Sequence, residues 1–271
     1  MKTIGILHQP QIAHARPLAD EISAWLAARG IDSWIGSSRG KVDGRLAETD
    51  LLIVLGGDGS TLNSARKALP FGVPIFGINM GHIGFLSEAE PDEWEAKLTR
   101  VLAGEFWLEK RLMLRAIVER NGRLLKKFVA LNEIVISRGV PISLVTIHLH
   151  VGGEPIATYR ADGLIVATPT GSTAYSMTVG GPVLPPTSEN FIIIPIAPHM
   201  SLDRPLVLPG DAEISLHVEM KRDAVITADG HNNAMLADGD EIVVRKHSKQ
   251  AAFVRLDPPE YFYRRLLRRL K

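Results

Sequence analysis

The sequence predicts an N-terminal Rossmann-like parallel α/β domain followed by a C-terminal β-sandwich-like domain, an α/β plus all-β combination. Three observations predict it. The first part of the chain alternates short apolar runs with segments of helical period. After about Arg111 the apolar period shortens to two, and beyond Pro259 it lengthens again to that of a helix.

In order, Thr3 to Leu7 reads as a strand, and Leu18, Ile22, Trp25, Leu26 and Arg29 follow at helical spacing, closed by Gly30. Leu51 to Leu55 and Pro74 to Ile78 are further strands, with a helix from Ser60 between them that stops before Pro70. Trp94, Leu98, Val101 and Leu102 mark another helix, closed by Gly104. This βαβα order predicts a parallel sheet with its ligand site at the strand C-terminal ends. Leu112 to Val118 then alternates, and Asn121-Gly122 is a strong hairpin turn into Leu124 to Val129. Val145 to Val151, Ile214 to Met220, Val225 to Thr227, Glu241 to Arg245 and Ala252 to Leu256 are further short strands, expected in one β-rich domain of stacked sheets. The expected division is residues 1–110 as the α/β domain and 111–258 as the β-rich domain. A helix over 259–271 returns to the first, docked by Phe262, Leu266, Leu267 and Leu270. Its basic face, Arg264, Arg265, Arg268, Arg269 and Lys271, is left in solvent.

The run Leu51 to Ser64, L-L-I-V-L-G-G-D-G-S-T-L-N-S, carries the most chemistry. A strand buried on both faces leads into Gly56, Gly57 and Gly59, and Ser60 and Thr61 stand where a helix N-cap belongs. Strand, glycine turn and helix start aim backbone N–H groups and a helix dipole at an anion. Asp58 is the odd residue in a loop suited to phosphate. It either takes a proton from an attacking hydroxyl, helps hold a cation beside phosphates, or merely caps the helix. Arg66, farther along the helix, is a candidate for a terminal phosphate and equally a surface arginine.

A second constellation, R-A-D-G-L-I-V-A-T-P-T-G-S-T-A-Y-S-M-T-V-G-G-P, spans Arg160 to Pro182. A short strand, Leu164 to Ala167, is broken by Pro169 and Gly171, and Ser172 and Thr173 are placed to cap a helix ending at Gly180-Gly181. Its hydroxyl side chains, from Thr168 to Thr178, suit a polyhydroxylated ligand, although a polar loop with a cap explains them too.

Together the two motifs are specific. The chain resembles the NAD kinases, which transfer a phosphoryl group to the 2′-hydroxyl of the adenosine ribose of NAD. The resemblance rests on G-G-D-G-S at Gly56 to Ser60, I-N-M-G-H-I-G-F-L at Ile78 to Leu86, L-N-E at Leu131 to Glu133, and D-G-L-I-V-A-T-P-T-G-S-T-A-Y at Asp162 to Tyr175. G-G-D-G alone is weak, being shared in similar form by lipid kinases and phosphofructokinases; the T-P-T-G-S-T-A-Y run with N-E is specific.

The resemblance implies a role for each matched position. Asp58 is the catalytic carboxylate, and Gly57, Gly59 and Ser60 belong to the phosphate loop. Phe85 lines the adenosine pocket. Asn132 and Glu133 bind the cofactor's ribose and base. Arg160 and Asp162 belong to the NAD site, Asp162 at its nicotinamide end. Thr173, Ala174 and Thr178 surround the ends of NAD, and Tyr175 belongs to a site completed by a neighbouring subunit, in a homodimer or homotetramer. Ser176-Met177-Thr178 departs from the N-K-S common in the family, so local contacts there differ. The implied substrates are NAD and ATP, or polyphosphate. Mg²⁺ or another divalent cation is expected chelated by the nucleotide, with no protein metal site, because no Walker A lysine motif is present. The runner-up enzyme is a lipid kinase of the diacylglycerol or sphingosine type, which wants an apolar tunnel rather than hydroxyls. A catalytically silent NAD-binding regulator would not need Asp58.

Composition narrows the partners. Thirty-one Lys and Arg stand against thirty Asp and Glu, so net charge points to neither nucleic acid nor an anionic membrane. The chain has no cysteine, which removes disulfides and thiolate metal sites and fits a cytoplasmic protein. The opening M-K-T-I-G-I-L-H-Q-P reads as a strand rather than a signal peptide, and Pro195 interrupts the apolar run Phe191 to Ala197. His148 and His150 share a strand face but lack an evident third ligand, and His82 reads as a loop hydrogen-bonding residue.

Overall fold

The structure, a computed structural model, describes residues 1–42, 44–81, 84–139, 144–220 and 223–270, side chains excepted at 232 and 268–270. It divides into two compact units, Met1–Lys110 with Lys249–Lys271, and Arg111–Ser248.

The chain opens with β1 (Thr3–His8), α1 (Ala15–Ala27), β2 (Asp32–Ser37), β3 (Leu51–Gly56), α2 (Asp58–Ala68), β4 (Ile75–Asn79), α3 (Trp94–Leu102) and β5 (Trp107–Arg111). Leu51 to Leu55 are fully buried, as a central parallel strand requires. Leu51, Ile53 and Leu55 share a core with Ile22 and Leu26 of α1 and Leu98 and Val101 of α3. The strand β2 lies beside β1 in parallel register; its sequence, D-S-W-I-G-S, is too polar and too interrupted by glycine to announce a strand. Helix α2 begins two residues before the expected cap. Gly57 is its N-cap, extended at φ −93°, and no side chain caps it. Ser60 and Thr61 lie inside the first turn, where Thr61 Oγ1 donates to the Gly57 carbonyl at 3.3 Å. The Thr61 hydroxyl thus turns back onto the helix, and no side chain fills the cap position.

The β-rich unit runs through β6 (Leu114–Arg120), β7 (Arg123–Ala130), β8 (Glu133–Arg138), β9 (Val145–Val151), β10 (Glu154–Ala161), β11 (Gly163–Ala167), α4 (Tyr175–Thr178), β12 (Asn190–Ile196), β13 (Leu206–Pro209), β14 (Ile214–Glu219), β15 (Ala224–Ala228), β16 (Asn232–Leu236) and β17 (Glu241–Lys246). They form two six-stranded sheets, in the orders β10-β9-β14-β17-β6-β7 and β13-β12-β11-β8-β15-β16. The inner faces meet in one core that includes Leu114, Ala116 and Phe128 from the first sheet and Ile134, Leu164, Val166 and Phe191 from the second. Asn121 and Gly122, at φ +51° and +70°, turn β6 into β7 as a two-residue hairpin loop with both residues left-handed. On the other face of the second sheet, Val135, Ile165, Ala167, Ile192 and Ile194 are covered by Val179, Leu184 and Ile196. Strands β8, β11 and β12 are therefore buried on both faces, which is why Phe191 to Ile196 reads as a continuous apolar run.

The chain then returns to the first unit with β18 (Ala251–Arg255) and α5 (Tyr261–Leu270). Strand β18 was expected among the β-rich strands; it instead pairs in parallel with β4, Phe253 opposite Ile75, in the sheet β2-β1-β3-β4-β18-β5. Alternation shows that a segment is a strand but not which sheet edge it joins. Helix α5 also departs from expectation. Leu267 is 61% exposed, while Phe262 and Leu266 are partly buried, and Arg265, also partly buried, points inward and donates to the Ser87 carbonyl. The side chains of Arg268, Arg269 and Leu270, together with Lys271, lie outside the described residues. Among the described residues no helix is long and apolar enough to cross a membrane.

Candidate active site

In the first unit, the β3–α2 junction places Asp58 as the first residue of α2. Its carboxylate accepts two backbone hydrogen bonds from the segment after β4, from Phe85 N at 3.1 Å to Oδ2 and from Leu86 N at 3.1 Å to Oδ1. One amide on each oxygen fixes the plane of the carboxylate. A β-carbon added at Gly57 or Gly59 would meet no atom within 4 Å. Neither position has a left-handed φ, so these glycines keep open space above the loop rather than permit a strained turn. Ser60 is buried beneath the loop. Phe85 is nearly buried and lies 6.4 Å, ring to ring, from Phe262 of α5. Arg66 is half-buried on α2, with Nη2 at 3.5 Å from Asn63 Oδ1. Next to it, Lys67 Nζ donates to the carbonyls of Ser38, at 2.5 Å, and Gly40, at 2.7 Å. Burial and then the Arg66 charge lower its pKa. His82 lies outside the described residues.

In the β-rich unit, Asn132 and Glu133 sit at the start of β8, where Glu133 pairs with Ala167 at the end of β11. Asp229, a residue that the sequence reading did not single out, organises this corner. Its carboxylate accepts the amides of Leu131 at 3.1 Å, Asn132 at 2.8 Å and Glu133 at 3.3 Å. Asp229-Gly230 joins β15 to β16 with both residues at positive φ, so the dipeptide reads as a turn and its reach is hidden. Glu133 is 7% exposed, and its Oε2 is buried without a hydrogen-bond partner. Burial, then the Asp229 charge, push its pKa up to about 8, against a hydrogen bond from the Tyr175 backbone. At neutral pH this side chain is a neutral acid with a proton to donate.

The hydroxyl-rich segment is partly structural. Thr168 Oγ1 donates to the Leu131 carbonyl at 2.5 Å and accepts from Gly171 N at 3.1 Å. Ser172 Oγ donates to the Pro169 carbonyl at 2.6 Å and accepts from Leu184 N at 3.0 Å. Neither Ser172 nor Thr173 caps a long helix as expected: a 3₁₀ turn, Gly171–Thr173, leads into the single turn α4, whose N-cap is Ala174. A β-carbon at Gly171 would lie 2.2 Å from the Asn132 carbonyl oxygen, so that glycine seats the segment against the Asn-Glu corner. The buried hydroxyls of Thr170 and Ser176 have no partner among the described residues. Tyr175 is 41% exposed, and Thr178 is exposed with Oγ1 3.5 Å from the Ala174 carbonyl.

Asp162 is not brought to this corner. It precedes β11, whose far end carries Ala167, roughly 16 Å away at about 3.3 Å per residue, and it pairs there with Arg138 at 2.9 Å. Arg160 is exposed on β10. The predicted residues of this unit thus form two groups, Asn132, Glu133, Thr173, Ala174, Tyr175 and Thr178 toward one end of β11, and Arg160 and Asp162 toward the other.

His148 and His150 gain a neighbour in His217, whose ring is 5.1 Å from that of His150. His148 is engaged by Thr158 at 3.0 Å and Glu219 at 3.2 Å. Among the described residues no three ligating side chains converge on a metal site.

Comparison with known proteins accords with this arrangement. Residues 43–106 match the family described as ATP-NAD kinase N-terminal domain, and residues 131–256 the ATP-NAD kinase C-terminal domain. An NAD kinase of Chloroflexus aggregans is 37% identical over 273 residues, covering 100% of this chain and 99% of the relative. One from Dehalococcoides mccartyi is also 37% identical, covering 100% and 96%. The crystal structure of an NAD kinase from Archaeoglobus fulgidus in complex with ATP superposes with a TM-score of 0.79 at 29% identity, covering 99% of this chain and 98% of that one. Yeast NADH kinase complexed with NADH shares the fold, with a TM-score of 0.90 at 23% identity over 100% of this chain and 87% of its own. With both family domains matched in order and full-length relatives at this identity, the chain belongs to the NAD kinase family.

Proposed function

We propose that the protein transfers the γ-phosphoryl group of ATP to the 2′-hydroxyl of the adenosine ribose of NAD, with Asp58 assisting removal of the hydroxyl proton. One observation carries the reading: a carboxylate anchored by two amides, at the head of a helix whose flanking glycines leave space for phosphate. A ribose hydroxyl is a weak nucleophile, and a fixed carboxylate accepts its proton as the new bond forms. The ribose O2′ bonds to the γ-phosphorus, the bond from that phosphorus to the β,γ-bridging oxygen breaks, ADP departs, and the proton passes to Asp58. Gly57, Gly59 and Ser60 cradle phosphates at the α2 N-terminus, and Arg66 neutralises the terminal one.

Phe85 lines the adenosine pocket. Asn132 and Glu133 bind the adenosine ribose and base. The orphaned Glu133 Oε2 and the proton it holds at neutral pH suit a ligand that both donates and accepts. Thr173, Ala174 and Thr178 complete that end of the dinucleotide, and Arg160 and Asp162 take the nicotinamide end. With Tyr175 exposed, a second copy of the chain completes the site in a homodimer or homotetramer. A divalent cation such as Mg²⁺ arrives on the nucleotide, where it would neutralise charge on the transferring phosphoryl group. The protein acts in the cytoplasm.

Incubation with NAD, ATP and Mg²⁺, read with an NADP-specific dehydrogenase, tests the reaction. NADP formation is expected, and Asp58→Asn is expected to lower kcat by roughly 10²–10⁴-fold. An NAD analogue lacking the adenosine 2′-hydroxyl that still gained phosphate would overturn the acceptor position.

A further inference from the structure

We propose that Arg265 of α5 and Arg255 of β18 are positioning residues for Asp58, acting through the chain segment Phe85 to Glu88. The inference rests on the catalytic role proposed for Asp58. That carboxylate is oriented by the amides of Phe85 and Leu86, which belong to an irregular segment with no sheet or helix of its own to fix it. The amides of Glu88 and Ala89 donate to the Gly77 carbonyl of β4, at 2.8 and 3.1 Å, and Lys97 Nζ donates to the Glu88 carbonyl at 2.7 Å; the donors to the Leu86 and Ser87 carbonyls come from the end of the chain. Arg255 Nη1 donates to the carbonyls of Leu86 and Ser87, both at 3.3 Å, and to Glu88 Oε2 at 3.1 Å. Its Nε donates to Glu109 Oε1 at 3.0 Å. Arg265 Nη1 donates to the Ser87 carbonyl, and its Nη2 reaches the Glu88 carbonyl at 3.5 Å and Glu88 Oε2 at 3.7 Å. Two planar guanidinium groups therefore clamp the three peptide units that follow the Asp58-binding amides, at the carbonyls of Leu86, Ser87 and Glu88. Arginine's fixed fork of donors suits this, and a lysine offers a single rotatable head.

The two arginines differ in what their loss does. The Arg255–Glu88 side chains are 8% and 1% exposed, so truncating Arg255 strands a buried carboxylate and disturbs the whole unit. The Arg265 side chain is 14% exposed, and Glu88 keeps Arg255 and the Leu256 amide, at 3.0 Å, when Arg265 is removed. Removing it frees the segment at one point. Arg264, next on the same helix, is exposed and makes its cation–π contact with Tyr261, and so serves as the charge-matched control.

The experiment compares Arg265→Met, Arg265→Lys, Arg264→Met and Asp58→Asn in the full-length protein. Arg265→Met is expected to lower kcat about tenfold, a loss of roughly 1.4 kcal/mol in transition-state stabilisation. The KM for NAD and for ATP should stay within about twofold, because Asp58 orientation bears on the chemical step. Hydrogen exchange at the Phe85 and Leu86 amides should accelerate, Arg265→Lys should recover part of kcat and of protection, and Arg264→Met should match wild type. If Arg265→Met is not recovered folded, exchange at the two amides in Arg265→Lys decides alone, with faster exchange than wild type supporting the proposal and wild-type exchange overturning it. An unchanged kcat in Arg265→Met, with Asp58→Asn inactive, overturns the positioning role alone. An active Asp58→Asn overturns the role proposed for Asp58 itself. A loss in Arg265→Met that tracks its melting temperature, with no recovery in Arg265→Lys, also overturns the positioning role.

Discussion

A β-carbon on Gly84 would lie 2.2 Å from Oδ1 of Asp58 and 2.9 Å from its Cγ. The glycine backbone forms one wall of the carboxylate's seat, immediately before the amides that bind it. Gly84→Ala is therefore expected to push Asp58 off its two hydrogen bonds and lower kcat by about 10²-fold, the effect of a roughly 1 Å misplacement. Steady-state kinetics on a variant shown by circular dichroism to be folded would check it.

Gly59 makes the opposite case. An added β-carbon there touches nothing in the protein, so Gly59→Ala should fold and melt within about 0.5 kcal/mol of wild type, as for a surface change. If the open space belongs to phosphate, the KM for ATP should rise at least tenfold. An unchanged KM would assign the phosphates elsewhere.

Glu133 makes stability depend on pH with a definite sign. Burial, then the Asp229 charge, raise its pKa from 4.5 to about 8. Between those values the folded protein keeps a proton that the unfolded chain has released. This contribution to stability is fully present below pH 4.5 and is lost as pH rises through about 8, at up to about 1.4 kcal/mol per pH unit. Melting temperature measured from pH 5 to 9 should fall less in Glu133→Gln than in wild type. Asp229→Asn removes one cause of the shift and tolerates the φ of +48° at that position, so the decline should end at lower pH and be smaller in total.

A chain ending at Pro258 separates activity from stability. Helix α5 buries Phe262 and Leu266 only in part and leaves Leu267 exposed. Full burial of one large side chain is worth about 1.5–3 kcal/mol, so the truncated protein should lose a few kcal/mol at most and melt several degrees lower. Its kcat should fall at least as far as in Arg265→Met, because both the Arg265 clamp and the Phe262–Phe85 contact are gone. Calorimetry and NADP formation on one preparation would measure both.

These expectations show how far local chemistry reaches. The strand β3, the glycine turn, helix α2 and the Asn121-Gly122 hairpin were legible because apolar period and turn residues act over a few positions. Asp229 was not legible, since its turn signal is local while its carboxylate binds the amide of Leu131, 98 positions away. The fate of α5 was misread for a related reason. Its leucines suggest apolar docking, but the carbonyls of Ser87 and Glu88, in an irregular segment elsewhere in the sequence, take hydrogen bonds from Arg265. A hydroxyl-rich run reads as ligand-binding, yet Thr168 and Ser172 spend their hydroxyls on their own backbone.

The place of β18 in the sheet sets the order in which the protein can be made. Strand β4 pairs with β3 on one side and β18 on the other, and β18 leaves the ribosome only after Arg111–Ser248 has been synthesised. At about 5–20 residues per second, that interval is roughly 10–30 s. Through it, β4 presents an open apolar edge, the kind that recruits strands from other nascent chains. The β-rich unit is continuous and can fold within the wait, whereas the unit carrying Asp58 is completed last. Synthesis speed and chaperone supply should therefore govern the yield of active enzyme more than the yield of soluble β-rich fragment, and a circular permutant that begins at Lys249 would remove the delay.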